Sequence, residues 1–95
     1  MTTLEYLDAA VRDRLGGEKS RLHELFGDGA VFAILQQLSR DSDWFQFQPK
    51  TFDGCYLVQG AVGYEVYSQE RGAKSDHRIF AVLQEAARHY FASYW

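Results

Sequence analysis

Residues 64–71, Tyr-Glu-Val-Tyr-Ser-Gln-Glu-Arg, decide the fold because their character alternates with a period of two. Successive side chains of a β-strand point to opposite faces, so this pattern predicts a strand with two different faces. The first face carries Tyr64, Val66 and Ser68. The other face is directed outward and carries polar and aromatic side chains, namely Glu65, Tyr67, Gln69 and Arg71.

Further strands are predicted on both sides of this stretch. Residues 44–48 alternate in the same way, with Phe45 and Phe47 on one face, and Pro49 stops that strand or places it at an edge. Turn signals then separate the remaining strands, which are expected at 55–59, 64–71 and 76–80. A helix is expected at 81–94, where apolar side chains recur at helical spacing. Together these elements predict a four-stranded antiparallel meander with a C-terminal helix packed on the sheet.

The N-terminal part is predicted to be helical. A first helix, with Thr3 as its N-cap, follows from apolar residues at helical spacing: Leu4, Leu7, Val11 and Leu15. A short second helix is expected at 20–26. Residues 28–39 fit either a helix or a buried strand, and the helix is favoured because the apolar spacing continues to Leu38.

Length and composition indicate one α+β domain, residues 1–95, with a helical half at 1–43 and a sheet plus C-terminal helix at 44–95. The chain has 10 basic and 13 acidic side chains, which gives a net charge of −3. The first half holds eight acidic and five basic residues, whereas the second half holds five of each. This balance argues against a nucleic-acid partner and favours a basic protein partner.

The single cysteine, Cys55, cannot form an internal disulfide, so the chain is compatible with a reducing cytosol. The N-terminus lacks the pattern of a signal peptide. The longest apolar run, 29–35, is far shorter than the roughly 20 residues of a membrane span. We therefore expect a cytoplasmic protein without a membrane partner.

Residues that could carry chemistry do not form a recognisable constellation. No two of the histidines His23, His77 and His89 have the spacing of a helical metal site, and no cysteine pair supports them. Cys55 lies in a predicted strand and is expected to be a buried apolar residue. The sequence therefore predicts no cofactor, no metal and no enzymatic activity, and an enzyme using His77 or Cys55 is the least favoured alternative.

The outward face of the 64–71 strand is the more informative surface. Aromatic residues rimmed by acidic ones suit a basic partner, because binding energy concentrates at Tyr and Trp. The predicted contact residues are Asp41, Asp43, Trp44, Glu65, Tyr67 and Glu70. The alternative is an ordinary solvated sheet face, in which Tyr67 only covers a neighbour.

The second half of the chain contains a three-part sequence pattern. It consists of Gly-Tyr-Glu-Val-Tyr-Ser-Gln-Glu-Arg-Gly at 63–72, Asp-His-Arg-Ile-Phe at 76–80 and an Ala-rich aromatic helix. It resembles small bacterial immunity proteins of polymorphic-toxin and contact-dependent inhibition systems, over the chain from Cys55 onward. The resemblance implies a cytosolic antidote that binds one cognate toxin domain and blocks its active site, without a cofactor. Such toxins are often basic nucleases, which an acidic antidote would attract.

The rival hypothesis is a small non-enzymatic regulatory or adaptor domain that acts through protein–protein contacts. The aromatic segment 90–95 is expected to contribute mostly to the core, but Trp95 lies beyond the apolar stripe of its helix. Trp95 could then support a weak homodimer, whereas a toxin antidote can act as a monomer.

Overall fold

The computed structural model describes residues 1–95 and contains four helices and a four-stranded sheet. The N-terminal helices are α1 (Thr3–Arg14), a 3-10 helix (Lys19–Phe26) and α2 (Ala30–Leu38). The strands are β1 (Phe45–Gln46), β2 (Gly54–Gln59), β3 (Tyr64–Glu70) and β4 (Ala73–Phe80), and α3 spans Leu83–Tyr94. The chain is thus an α+β protein with a C-terminal helix packed on its sheet, as the sequence predicted.

The strands lie in the order β1-β2-β3-β4, but the sheet is mixed. β2, β3 and β4 are joined by antiparallel hairpins, whereas β1 pairs with β2 in parallel, with Phe45 opposite Cys55. The predicted antiparallel meander is therefore wrong at β1. A parallel connection must return the chain to the level where the first strand began. Because β1 has only two residues, the loop 47–53 is long enough to do so.

The strand predicted at 44–48 is shortened for a local reason. The backbone N–H of Phe47 donates to the hydroxyl of Ser39 at 3.1 Å, and Pro49 has no N–H to give to a sheet. Parallel pairing also needs a close approach of the two backbones. A Cβ atom at Gly54 would lie 2.6 Å from the carbonyl oxygen of Trp44, so only glycine fits at this position.

The first helix begins one residue earlier than expected. Thr2, not Thr3, is the N-cap, because its hydroxyl accepts from the N–H of Glu5 while the Glu5 carboxylate accepts from the N–H of Thr2. Thr3 is buried instead, and its hydroxyl donates to the carbonyl of Phe45 at 2.8 Å. The buried stripe of α1 consists of Thr3, Leu7, Ala10 and Val11, and Leu4 lies outside it and is exposed.

Residues 28–39 contain a helix, as the persistence of the apolar spacing indicated. α2 buries Val31, Phe32 and Leu35, while Ile34 is exposed. The carboxylate of Asp28 accepts from the N–H of Ala30 at 3.0 Å and satisfies one free donor at the helix start. The short helix predicted at 20–26 is the 3-10 helix, which begins at Lys19 and buries Leu22 and Phe26.

One face of the sheet, here called the core face, packs against the helices. Its residues Cys55, Leu57 and Val66 join an eighteen-residue apolar cluster to which all four helices contribute. Tyr90 of α3 belongs to this cluster and is fully buried, and its hydroxyl donates to the carbonyl of Cys55 at 2.9 Å. Burial raises the pKa of Tyr90 well above its usual value, so the hydroxyl remains a donor.

The β3–β4 hairpin turns at Arg71 and Gly72, whose φ angles of 52° and 80° are both positive, as two-residue type I′ turns require. β4 therefore begins at Ala73, three residues before the predicted start at Asp76. Asp76 also has a positive φ, and the pairing of β3 with β4 is irregular beside it. No helix of the chain has the length and apolar character needed to cross a membrane.

Candidate functional site

The other face of the sheet, here called the outer face, is built differently. Tyr56, Val58 and Tyr67 alternate with core-face residues and form a separate cluster to which no helix contributes. The rings of Tyr56 and Tyr67 stack with centroids 4.9 Å apart and an interplanar angle of 8°. Both rings are almost completely buried, although no residue of a helix belongs to their cluster. The outer face is thus a thin aromatic layer under a polar cover.

Polar side chains cover one end of this layer. Lys74 places its ammonium 4.5 Å from the centroid of the Tyr67 ring, and His77 meets the same ring edge-on. The His77 imidazole also contacts the Glu65 carboxylate at 2.6 Å. Burial, and secondarily Tyr56 and Glu65, raises the pKa of Tyr67 to about 12. Tyr67 therefore supports the sheet and offers no exposed aromatic surface.

The loop 47–53 covers the other end of the layer through hydrogen bonds to its backbone. The amide of Gln69 donates to the carbonyls of Lys50 and Phe52 at 3.0 and 3.1 Å. The hydroxyl of Tyr56 donates to the carbonyl of Phe52 at 2.6 Å. These bonds fix the main chain around residue 52 from two strands, while the Phe52 side chain remains 46% exposed.

The turn 40–43 is attached to the sheet beside this loop. Asp43 is only 7% exposed, and its carboxylate accepts from the N–H of Arg40 at 3.0 Å. The Gln46 amide donates to the carbonyls of Arg40 and Asp43. The Asp41 carboxylate reaches the ammonium of Lys50 at 3.1 Å, which links the turn to the loop. Asp43 therefore shapes the turn, whereas Asp41 remains at the surface.

The exposed residues carried by this framework form one surface, here called the loop patch. Trp44, which is 58% exposed, directly follows the turn and touches Gly54 through its carbonyl. The Asp53 carboxylate accepts from the N–H of Arg71 at 2.8 Å, which brings the end of β3 alongside. The loop patch consists of two aromatic and two acidic residues: Asp41, Trp44, Phe52 and Asp53. Glu70 is exposed at the end of β3, on the side of the strand opposite Gln69, and lies beside the patch.

The charge of the loop patch also acts on the layer below it. Burial raises the pKa of Tyr56, and the nearby carboxylates of Asp53 and Asp41 raise it further. Both carboxylates thus lie at the surface close to the buried ring of Tyr56. Lys50 is the single cation within ion-pairing distance of either of them.

The structure separates the six predicted contact residues into three groups. Asp41, Trp44 and Glu70 are exposed in or beside the loop patch, while Glu65 is half-buried against His77. Asp43 and Tyr67 are buried, and Tyr67 covers its neighbour Tyr56, which was the alternative raised for the outer face. Sequence reasoning missed Phe52. An apolar side chain among the polar loop residues 49–53 was the available signal.

The other residues that could bind a metal or act in catalysis lie apart from one another. No group of three His, Cys, Asp or Glu side chains is close enough to hold a metal ion. Cys55 is buried, and burial raises the pKa of its thiol to about 11, opposite to the shift that activates a nucleophile.

Residues 60–63 connect β2 and β3 as the predicted hairpin, and the N–H of Gly60 donates to the carbonyl of Gly63 at 2.7 Å.

Comparison of the chain with protein-family models, curated protein sequences and solved structures gives no match.

Proposed function

We propose that the chain is an immunity protein that neutralises a cognate bacterial toxin domain in the cytoplasm, by binding to it and blocking its active site. The observation that carries this proposal is the loop patch, in which Trp44 and Phe52 are exposed beside the carboxylates of Asp41 and Asp53. Large exposed aromatic side chains with an acidic surround match the composition of interface centres that receive a basic partner.

The framework beneath the loop patch supports the same proposal. Gln69 and Tyr56 hold the carbonyl of Phe52, and Asp53 holds the N–H of Arg71. A loop ordered before binding loses less conformational entropy when the partner arrives, so more of the contact energy becomes affinity. These bonds, with the one from the Lys50 ammonium to the carbonyl of Ser39 at the end of α2, therefore order the loop surface before a partner binds.

Charge supports a basic toxin domain as the partner. Asp53 forms no ion pair, Asp41 pairs with Lys50 at the surface, and the whole chain carries a net charge of −3. Opposite charge on two partners accelerates their encounter and makes the association rate sensitive to salt. A nuclease domain, which carries positive charge to bind phosphate, fits this requirement.

The direct test uses the C-terminal domain encoded by the reading frame immediately upstream of this chain. Co-expression should restore growth that the toxin domain alone arrests, and purified partners should bind. Trp44→Ala should weaken binding by about 30-fold or more. Asp41→Lys should slow association several-fold and flatten its dependence on salt, because it reverses a charge at the rim.

Matched controls lie elsewhere on the surface. Asp8, on the exposed side of α1, has no ion pair, and Val62 lies exposed in the 60–63 hairpin. Asp8→Lys and Val62→Ala should change the rates less than twofold. Thermal melting confirms that each variant is folded. Two results would contradict the proposal. One is an upstream reading frame that encodes a metabolic enzyme, and the other is an affinity for the toxin domain that Trp44→Ala does not change.

The adaptor hypothesis with dimerisation through Trp95 has less support. The Trp95 ring packs against Phe45 and Phe91 of the same chain, with centroids 5.3 and 6.1 Å away. Much of its apolar area is therefore used inside the protein. Self-pairing of β4, centred on Asp76, would also place Lys74 of one copy opposite Arg78 of the other, an unfavourable pair of like charges.

A further inference from the structure

A cavity of about 290 Å³ lies between the 3-10 helix and α3, in the helical layer and away from the outer face of the sheet. Its wall includes Phe91, Ala92 and Trp95, which supply apolar surface. Lys19 and Arg88 line it from opposite helices. The volume is close to the lower end of the range for small-molecule sites, roughly 300–1,000 Å³.

The polar part of this cavity is basic. Lys19, Ser20, His23 and Arg88 all line it, and Arg88 and His23 also border an adjoining hollow with Glu85. No carboxylate lies within ion-pairing distance of Lys19, His23 or Arg88, although Arg21 on the same 3-10 helix pairs with Glu18 and Glu24. In a chain with net negative charge, this cavity thus has two cationic side chains, Lys19 and Arg88, that form no ion pair.

The aromatic part of the cavity orients one of these cations. The Lys19 ammonium lies 5.4 Å from the centroid of the Trp95 ring, which is cation–π distance. Trp95 is itself fixed by Phe45 and Phe91, so its ring is a rigid wall. An anion that bridges Lys19 and Arg88 would therefore have its attached carbon skeleton against Trp95.

We propose that this cavity binds a small organic anion, whose carboxylate or phosphate faces Lys19, His23 and Arg88 and whose apolar body contacts Trp95. Charge-assisted hydrogen bonds from ammonium and guanidinium groups are the strong contacts for such anions. The site is independent of the loop patch and of toxin binding, and either proposal can fail while the other holds.

The test uses tryptophan fluorescence. The chain has two tryptophans, so Trp44→Phe leaves Trp95, in the cavity wall, as the only reporter. The probes are phenyl phosphate, benzoate, inorganic phosphate and uncharged phenol. Phenyl phosphate or benzoate should change the fluorescence saturably with a Kd near or below about 1 mM, the affinity typical of a ligand of this size. Whichever of the two binds more tightly identifies the preferred charged group.

A matched pair of arginine variants separates the site from general charge. Arg88→Gln in the Trp44→Phe background should weaken binding about tenfold, because it removes a charged donor. Arg78→Gln changes an exposed arginine on β4 that lines none of the cavity and should have no effect. If Arg88→Gln melts early, Lys19→Gln replaces it, because Lys19 is on the exposed side of its helix.

Each remaining outcome counts against the proposal. Phenol binding as tightly as phenyl phosphate would show an apolar cleft without anion selectivity. Inorganic phosphate binding as tightly as both organic anions would show that the apolar wall contributes nothing. A fluorescence change that stays linear up to a ligand concentration of about ten times the expected Kd would show that the cavity is not an anion site. Equal weakening of ligand binding by Arg88→Gln and Arg78→Gln would show the same.

Discussion

The two faces of the sheet bury aromatic rings to a similar degree but by different means. On the core face, Tyr90 belongs to an apolar cluster to which all four helices contribute, and its ring packs against Phe45, Phe47 and Phe91. On the outer face, Tyr67 is just as inaccessible to water, yet its cover consists of Lys74, His77 and Glu65. Low solvent exposure alone therefore does not identify a core, because a polar cover also produces it.

The two faces of the sheet therefore differ in their contribution to the fold. The core face holds the fold through many packing contacts that a mutation cannot easily replace. The polar cover of the outer face and the adjoining loop patch lie at the surface, where we propose that the partner binds. Proteins often place binding residues on loops that a rigid scaffold positions, and the loop 47–53 fits that arrangement.

The largest expected effect comes from the same substitution on the two faces. Val66 on β3 belongs to the core-face cluster, and Val58 on β2 belongs to the outer-face cluster. Val66→Ala should lower the free energy of unfolding by about 2–3 kcal/mol, because the rigid surroundings cannot fill the cavity. Val58→Ala should cost about 1 kcal/mol, because the thin polar cover can relax. Urea titration measures both.

Equal losses for the two valine variants would contradict the division. They would show that the outer face is as tightly packed as the core face, and its cover would then belong to the fold. An unchanged m value in both titrations is the control that the denatured state is not altered.

A smaller effect should appear at alkaline pH. Burial raises the pKa of Cys55 on the core face to about 11, from 9.0, and that of Tyr67 on the outer face to about 12, from 10.0. In each case the folded protein holds the proton more tightly than the unfolded chain. The stabilisation is thus complete below the unfolded pKa and is lost as the pH rises toward the folded pKa.

The two groups should therefore act in different pH windows. Cys55→Ala should reduce the loss of stability between about pH 9 and 11, and Tyr67→Phe should reduce it between about pH 10 and 12. Urea midpoints measured across this range test both. A wild-type midpoint that stays constant to pH 12, or one that rises, is incompatible with the buried state of these groups.

Sequence periodicity predicted most of the fold, because most elements follow one local rule. The spacing that extends to Leu38 selected the helix over the strand at 28–39, and the alternation at 64–71 identified β3. The N-cap was also accessible, since Thr2 and Glu5 have the spacing of a capping box. The parallel direction of β1 could not be predicted from the sequence, because it depends on where the loop 47–53 returns the chain. That is a long-range property that no local pattern encodes.

The contact surface was harder to predict than the fold. Alternation correctly placed Tyr67 on the face opposite Val66, but it cannot say whether a ring on that face is covered. Its cover comes from Lys74 on the next strand and from His77 beyond the irregular residue Asp76. Asp43 was predicted as a contact because it is acidic, whereas its carboxylate is used by the backbone of its own turn.

The central claim is that the core face holds the fold while the loop patch binds a toxin domain. Amide hydrogen exchange of the chain, alone and with the upstream-encoded toxin domain, tests it most directly. We expect the partner to slow exchange at residues 40–53 and at the β3–β4 turn, and to leave α3 unchanged. Slowing confined to α3 and the 3-10 helix, with the loop 47–53 unaffected, would contradict the claim.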